Sequence, residues 1–251
     1  MKTLIFVDLD GTLLDSNNKI SKKNKEVITK AKNLGYTIIL STGKSYLNAR
    51  PYYDELGLDS YLVTSHGQFI HDKDENIIYS SSISKKVWDT SFEKLKNSIK
   101  CFYLETTEGV YSNCSECKFL SFISKKEIKE EQVNEIIGMY LSFDDEIEID
   151  IDGIRALPWE TGDKEFTYSL KPKGISKEAA LKWIIDKEKF EYVIGFGNGR
   201  SDINALKIAD LPFAMKNSHE AVLEEFDSLT EFDNDNDGVA IEIEKIIRKE
   251  Q

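Results

Sequence analysis

The most restrictive feature of this 251-residue chain is a pattern that stops and then resumes. Leu4-Ile5-Phe6-Val7 and Tyr36-Thr37-Ile38-Ile39-Leu40 are short, nearly continuous apolar runs, as strands buried on both faces require. Between them Val27, Ile28, Ala31 and Leu34 recur at helical spacing over residues 21–34, and Gly35 stands where a helix ends. A second helix is predicted from Ser45 to Leu56, followed by Gly57 and the apolar segment Tyr61-Leu62-Val63. Strands alternating with helices specify a parallel sheet covered on both faces. The tail takes the pattern up again. A helix is predicted over Ser176–Lys187, with Ala179, Ala180, Trp183 and Ile184 on one side. Tyr192-Val193-Ile194 reads as a strand and Asp202–Ile208 as a further helix.

The middle of the chain follows another rule. From about Ser81 to Leu170 the strand candidates alternate apolar and polar residues, which suits an antiparallel sheet with one wet face. The clearest case is Glu146-Ile147-Glu148-Ile149-Asp150-Ile151-Asp152-Gly153. Ahead of it, Ser124 and Glu127 form a capping-box pattern before a predicted helix carrying Val133, Ile136, Ile137 and Tyr140. The expected fold class is α/β. A Rossmann-like, doubly wound parallel core is formed by residues 1–80 and 171–251, with an inserted α+β domain at 81–170.

Charge and cysteine usage narrow the functional classes. With 33 basic and 45 acidic residues the net charge is −12, which disfavours a nucleic-acid partner. No apolar run approaches the roughly 20 residues needed to cross a bilayer. Leu4–Val7 is too short for a signal-peptide core. Three cysteines do not make a disulfide framework. The expectation is a cytoplasmic protein without membrane or nucleic-acid partners; its oligomeric state is not legible.

Open α/β sheets bind ligands beyond the carboxyl ends of their strands. Three such ends turn polar at once: Asp8-Leu9-Asp10-Gly11-Thr12, Ser41-Thr42-Gly43-Lys44, and Gly197-Asn198-Gly199-Arg200-Ser201-Asp202. Any one alone is an ordinary turn; three together, each with glycine, point to a site. Asp8 and Asp10 are two apart, so on a continuing strand they share a face. Close carboxylates repel and raise at least one pKa, which a divalent cation relieves. An oxygen-rich site with few protein ligands suits Mg²⁺. One carboxylate is then available to attack phosphorus and the other to act as acid and base.

The run Asp8-Leu9-Asp10-Gly11-Thr12-Leu13-Leu14-Asp15 resembles the first motif of the haloacid dehalogenase superfamily. Ser41-Thr42-Gly43-Lys44 is similar to the second motif of its Cof-type (type IIB) phosphatases, where arginine is usual at Lys44. Val63-Thr64-Ser65-His66-Gly67 resembles their next segment, Gly174–Leu181 their lysine motif, and Asp237-Gly238-Val239-Ala240 their C-terminal signature. The resemblance implies that the insert is a substrate-specificity cap. It implies a Mg²⁺-dependent phosphatase of small phosphorylated metabolites, such as sugar phosphates. Asp8 would be nucleophile and metal ligand. Asp10 would be acid and base, and a metal ligand through its carbonyl. Thr42 would bond the phosphoryl group, with Gly43 and Lys44 beside the substrate, and Lys177 would neutralise charge, with Lys173 as a nearby competitor. Asn198 and Asp202 would complete the metal site. Asn198 stands where the family usually has aspartate and removes one charge, so weaker Mg²⁺ binding is expected. Two rivals stay open: a pseudoenzyme that senses a phosphorylated ligand, motivated by Asn198 and Ser201, and a phosphomutase of the same superfamily.

Other signals have plainer readings. Asp233, Asp235, Asp237, Gly238 and Glu244 match a calcium-loop pattern but coincide with the turn into the last helix. Cys114 and Cys117 have a zinc-like spacing without a second pair. His66 is a substrate contact or a turn histidine. Arg155 suits an anionic ligand or is a solvent-facing charge. Trp159 and Tyr168 are core aromatics or stack on a substrate ring.

Overall fold

The computed structural model describes residues 2–106, 108–114, 126–158 and 166–249. The chain divides into two compact units, Met1–Ser80 with Ile175–Gln251, and Ser81–Gly174. Among the described residues no helix is long and apolar enough to cross a membrane.

The first unit is built on a seven-stranded sheet. Its strands are β1 (Thr3–Val7), β2 (Thr37–Ser41), β3 (Leu62–Thr64), β4 (Phe69–His71), β5 (Ile77–Ser80), β12 (Tyr192–Gly197) and β13 (Leu211–Ala214). The order is β13-β12-β1-β2-β3-β4-β5. From β13 to β3 the strands are parallel; β4 and β5 close that edge as antiparallel neighbours. All five residues of β1 are buried, and they alternate between two cores. Ile5 and Val7 join α1 (Lys22–Asn33), α2 (Tyr46–Glu55) and α7 (Gly238–Lys249) through Val27, Ile28, Tyr53, Val239 and Ile243. Leu4 and Phe6 join α4 (Lys177–Glu188), α5 (Ile203–Lys207) and the short α6 (Glu220–Leu223) through Ala180, Leu181, Ile184, Leu206 and Val222. A strand with helices on both faces must be apolar at every position, which is why this run does not alternate. The chain leaves β1 toward β2 on one side and returns to β12 on the other, so the strand order reverses at the end of β1. That reversal is where an open α/β sheet leaves a crevice.

The second unit is an antiparallel sheet of β7 (Ile99–Thr106), β8 (Val110–Ser112), β9 (Glu135–Phe143), β10 (Ile154–Pro158) and β11 (Phe166–Pro172), in the order β10-β11-β9-β7-β8. The short β6 (Ile83–Ser84) pairs with β9. Trp88 of α3 (Lys85–Leu95) packs with Phe102, Leu104, Met139, Leu141, Phe143 and Leu170 on one face. β11 continues through Pro172, so the second unit ends at 174 and not at 170.

Two sequence expectations fail here. Of the predicted helix, Ile136, Ile137 and Tyr140 lie in the central strand β9, paired to β7 and β11, and Val133 precedes it after a short turn. Its apolar residues satisfy a helical period only by coincidence. β-branched residues fit the pleated surface, and Gly138 weakens a helix interior. Ser124 of the expected capping box lies outside the described residues. The predicted strand over 146–153 is irregular chain. Ile147, Ile149 and Ile151 still turn toward the apolar cluster, ending in a turn closed by Ile154 N–H on the Ile151 carbonyl (3.0 Å). Alternation reports which side is buried, not whether a neighbouring strand supplies hydrogen bonds.

Candidate active site

Asp8 follows the last residue of β1, and its N–H still bonds the Phe196 carbonyl of β12 (3.1 Å). The chain then makes a wide turn over Leu9–Leu13. It is closed by Leu13 N–H on the Asp8 carbonyl (3.2 Å) and Leu14 N–H on the Leu9 carbonyl (3.0 Å). Gly11 takes a left-handed conformation at its tip (φ 68°), and a Cβ there would collide with the Asn198 amide. Glycine is therefore needed twice over, for its backbone angles and for the close approach.

Lys177, the first residue of α4, is only 2% exposed. Its Nζ lies 2.8 Å from Asp8 Oδ1 and 2.6 Å from Asp202 Oδ1. The Ser176 hydroxyl caps the same helix by accepting from Ala179 N–H (3.1 Å), which fixes where Lys177 leaves the backbone. Asp202 Oδ2 accepts from the N–H groups of Asn198 (3.1 Å) and Gly199 (2.9 Å). Both oxygens of Asp202 are thus engaged by protein donors. Of the two lysines weighed from sequence, Lys177 touches Asp8; Lys173 donates its amide to Gly153 in the second unit.

Burial governs the electrostatics. It pushes the Asp8 carboxyl up to about 7, against the opposing pull of Lys177 and with added repulsion from Asp202. Burial also works against the charge on Lys177, but the carboxylates of Asp8 and Asp202 outweigh it and hold the ammonium above its ordinary pKa.

The other strand ends supply the rest. Thr42 is fully buried; its N–H bonds the Val63 carbonyl (3.0 Å), and its hydroxyl accepts from Lys44 N–H (3.1 Å). Lys44 Nζ reaches Asp10 Oδ1 at 2.7 Å. His66 adopts a left-handed conformation (φ 60°), bonds the Thr42 carbonyl through its N–H (3.0 Å), and stands with its ring over Gly43. Asn198 Oδ1 accepts from the buried Thr12 hydroxyl (3.0 Å). Asp8, Asp10, Thr42, Gly43, Lys44, His66, Lys177, Asn198 and Asp202 all belong to the first unit. Arg155 belongs to the second, on β10 opposite Lys171. Two contributors were not singled out from sequence, Thr12 and Asn217. Asn217 follows β13, whose Pro212 hides the strand; proline is tolerated there because β13 is an edge. Asn217 Nδ2 bonds the Gly11 carbonyl (2.9 Å).

The donors around Asp8 fit a magnesium ion in kind. The Asp8 carboxylate, the Asp10 carbonyl and the Asn198 amide are all oxygen donors, the chemistry a hard cation takes. The calcium-loop reading does not fit. Asp233 accepts from Asn236, Asp235 from Ser16 and Asp237 from Ser21, while Glu244 pairs with Lys23 and Arg248. Among the described residues, no group of three or more His, Cys, Asp or Glu side chains is arranged to hold a metal. Cys114 is half-buried against the Phe102 carbonyl, and Cys117 and Trp159 lie outside the described residues. Tyr168 packs in the second unit's core beside Phe143.

A family model for haloacid dehalogenase-like hydrolases matches residues 5–243. The chain belongs to the haloacid dehalogenase-like hydrolases. Within that family it is of the Cof type and is a phosphoric monoester hydrolase. It is 29% identical to a 5-amino-6-(5-phospho-D-ribitylamino)uracil phosphatase of Bacillus subtilis, YcsE, over 94% of this chain and 92% of that one. A haloacid dehalogenase-like hydrolase from Bacteroides thetaiotaomicron has the same fold, with TM-score 0.79 at 23% identity, covering 98% and 99% of the two chains. A subclass IIB sugar phosphatase superposes with TM-score 0.72 at 22% identity over 98% and 99%.

Proposed function

We propose that this hydrolase removes phosphate from small phosphorylated metabolites of the sugar or polyol phosphate class through an aspartyl phosphate on Asp8. The observation that carries this reading is the placement of Asp8: a buried carboxylate at the strand-order reversal, gripped by Lys177, with Asp10 two residues on. Asp8 attacks phosphorus, forming an oxygen–phosphorus bond as the ester oxygen leaves. Asp10 gives that oxygen its proton. Asp10 then takes a proton from water as the water attacks phosphorus, releasing inorganic phosphate and regenerating Asp8. Thr42 donates to the phosphoryl oxygens, beside Gly43 and His66. Lys177 keeps a positive charge against the nucleophile throughout.

Mg²⁺ would be held by Asp8, the Asp10 carbonyl and Asn198; bound there, it supplies positive charge that keeps Asp8 ionised and offsets the phosphate's charge. With both oxygens on protein donors, Asp202 serves this reading better as the residue that orients Lys177 and the 198–199 backbone than as a metal ligand. Lys44 holds Asp10, so its contribution to substrate binding would come by exchanging that partner for phosphate. The second unit acts as the cap, and Arg155 is its candidate for an anionic group of the substrate. The name of the Bacillus relative suggests a ribityl phosphate as the first polyol substrate to try. The protein is read as cytoplasmic, where such metabolites occur.

The test is phosphate release from a panel of hexose, pentose and ribitylamino-uracil phosphates, with and without Mg²⁺. We expect Mg²⁺-dependent turnover that Asp8→Asn abolishes. Turnover persisting in Asp8→Asn would remove the aspartyl phosphate. Tight binding without turnover on any of them would favour a phospho-ligand sensor.

A further inference from the structure

Around the Asp10 turn, hydrogen bonds arrive from a part of the chain that the chemistry above does not use. Asn217 Nδ2 donates to the Gly11 carbonyl (2.9 Å), and Asn217 Oδ1 accepts from Asn234 N–H (3.3 Å). Asn234 Nδ2 donates to the Leu14 carbonyl (2.8 Å). Asp235 accepts from both the N–H (2.7 Å) and the hydroxyl (2.6 Å) of Ser16. The loop that carries Asn217 is itself tied to the Asn198 loop. Met215 N–H bonds the Gly197 carbonyl (3.0 Å), and His219 N–H bonds the Asn198 carbonyl (2.9 Å).

Gly11 is thus held from two sides, by the Asn198 amide against its Cα and by the Asn217 amide on its carbonyl. A glycine with φ 68° has more conformational freedom than any other residue, and fixing it takes contacts from outside the turn. What it gains here is one backbone geometry for Gly11. The residue before Gly11 is Asp10, whose half-exposed carboxylate pairs with Lys44 (2.7 Å). The position of that carboxylate therefore depends on the backbone of the turn as well as on Lys44.

We propose that Asn217 is a positioning residue for Asp10: its amide locks the Gly11 peptide and so aims the acid–base carboxylate. The inference rests on the phosphatase reading for its effect on rate. The lock itself does not. The acidic, asparagine-rich run 233–237 acquires a role here that its calcium-loop spacing does not suggest, since Asn234 and Asp235 clamp the far end of the same turn.

Two variants separate the atoms. Asn217→Ala removes both contacts, and Asn217→Asp keeps an oxygen for Asn234 N–H but loses the donor to Gly11. Misplacing a catalytic group by about an ångström costs about 100-fold. We expect kcat to fall about 10- to 100-fold in both variants on the best substrate of the panel, with KM changed less than about threefold. Amide hydrogen exchange of full-length protein supplies a readout that needs no turnover. Leu13 and Leu14 N–H, which close the turn, should exchange faster in both variants, while β2 amides stay unchanged. Wild-type kcat in either variant, or unchanged exchange at Leu13 and Leu14, overturns the proposal. If the wild-type protein turns over no phosphate ester, the phosphatase reading has failed, and the exchange measurement still decides whether Asn217 locks the turn.

Discussion

Two side chains carry most of the risk in this site. Lys177 is a buried cation between two buried carboxylates, and neither Asp8 nor Asp202 has access to much water. Removing one partner of such a group leaves charge uncompensated, which costs about 3–5 kcal/mol. We expect Lys177→Met to lower stability by about that much at pH 7 in urea unfolding, and Asp202→Asn in the same chain to recover part of it. A Lys177→Met protein as stable as wild type would mean that losing the ammonium leaves no charge uncompensated. Asn198 is the other. Its oxygen already accepts from Thr12, and it brings no charge to the donors around Asp8. Asn198→Asp adds a negative charge at that point, so the Mg²⁺ concentration for half-saturation, read by calorimetry, should fall by roughly 10-fold. An unchanged or raised value would take Asn198 off the list of metal donors.

At the scale of elements, helix starts and strand contacts set the frame. Ser21 caps α1 by accepting from Asn24 N–H (3.0 Å), and its hydroxyl donates to Asp237 at the entry to α7. Ser21→Ala loses both, and we expect a cost of about 1–2 kcal/mol in thermal or urea unfolding. β4 meets the start of α2 through His71, whose ring lies 4.3 Å from that of Tyr46, with Nε2 3.3 Å from the Thr64 hydroxyl. Burial pushes His71 down to about 4, with the Glu75 carbonyl opposing and Arg50 reinforcing the shift. Between pH 4 and about 6.5 the unfolded chain therefore binds a proton that the folded one does not. Stability from this group is complete above pH 6.5 and is lost as the pH falls toward 4. Its total is on the order of 3 kcal/mol. His71→Asn should flatten the pH dependence of unfolding in that window relative to wild type; parallel curves would show that His71 is not held neutral. The sequence is unequal at this scale. Helices α1, α2 and α4 fall within a residue or two of their predicted ends, because capping residues and apolar spacing are local. β9 was misread because five to nine residues of apolar sequence satisfy either period, and only strands arriving from elsewhere decide.

For the whole molecule, the first unit is assembled from both ends of the chain. β1 lies between β2 from the first 80 residues and β12 from the last 77. A chain ending at residue 174 loses β12, β13, α4, α5, Lys177 and Asn198, and leaves Leu4 and Phe6 without the helices that cover them. We expect such a fragment to show no slow-exchanging amides in β1, whereas the full chain protects them; native-like protection would mean that residues 1–174 fold alone. The net charge of −12 belongs to this scale too. An acidic molecule gathers an anionic substrate by local cations and not by its overall field.

What the sequence determined by itself is whatever depends on neighbours along the chain. The buried strands, the capped helices, the interruption and the Asp8-x-Asp10 pair were all legible, because burial on two faces forces continuous apolar runs and a strand end exposes the residue after it. The assignment of Lys177 over Lys173 was half legible, as spacing to the next helix. The tertiary structure alone decided that Asp202 spends both oxygens on protein donors, that Lys44 rests on Asp10, that the acidic 233–237 run clamps the first turn, and that Asn217 reaches Gly11. Each of these joins residues from separate strand ends. No local propensity records such a contact, because its energy exists only when the sheet has brought those ends together.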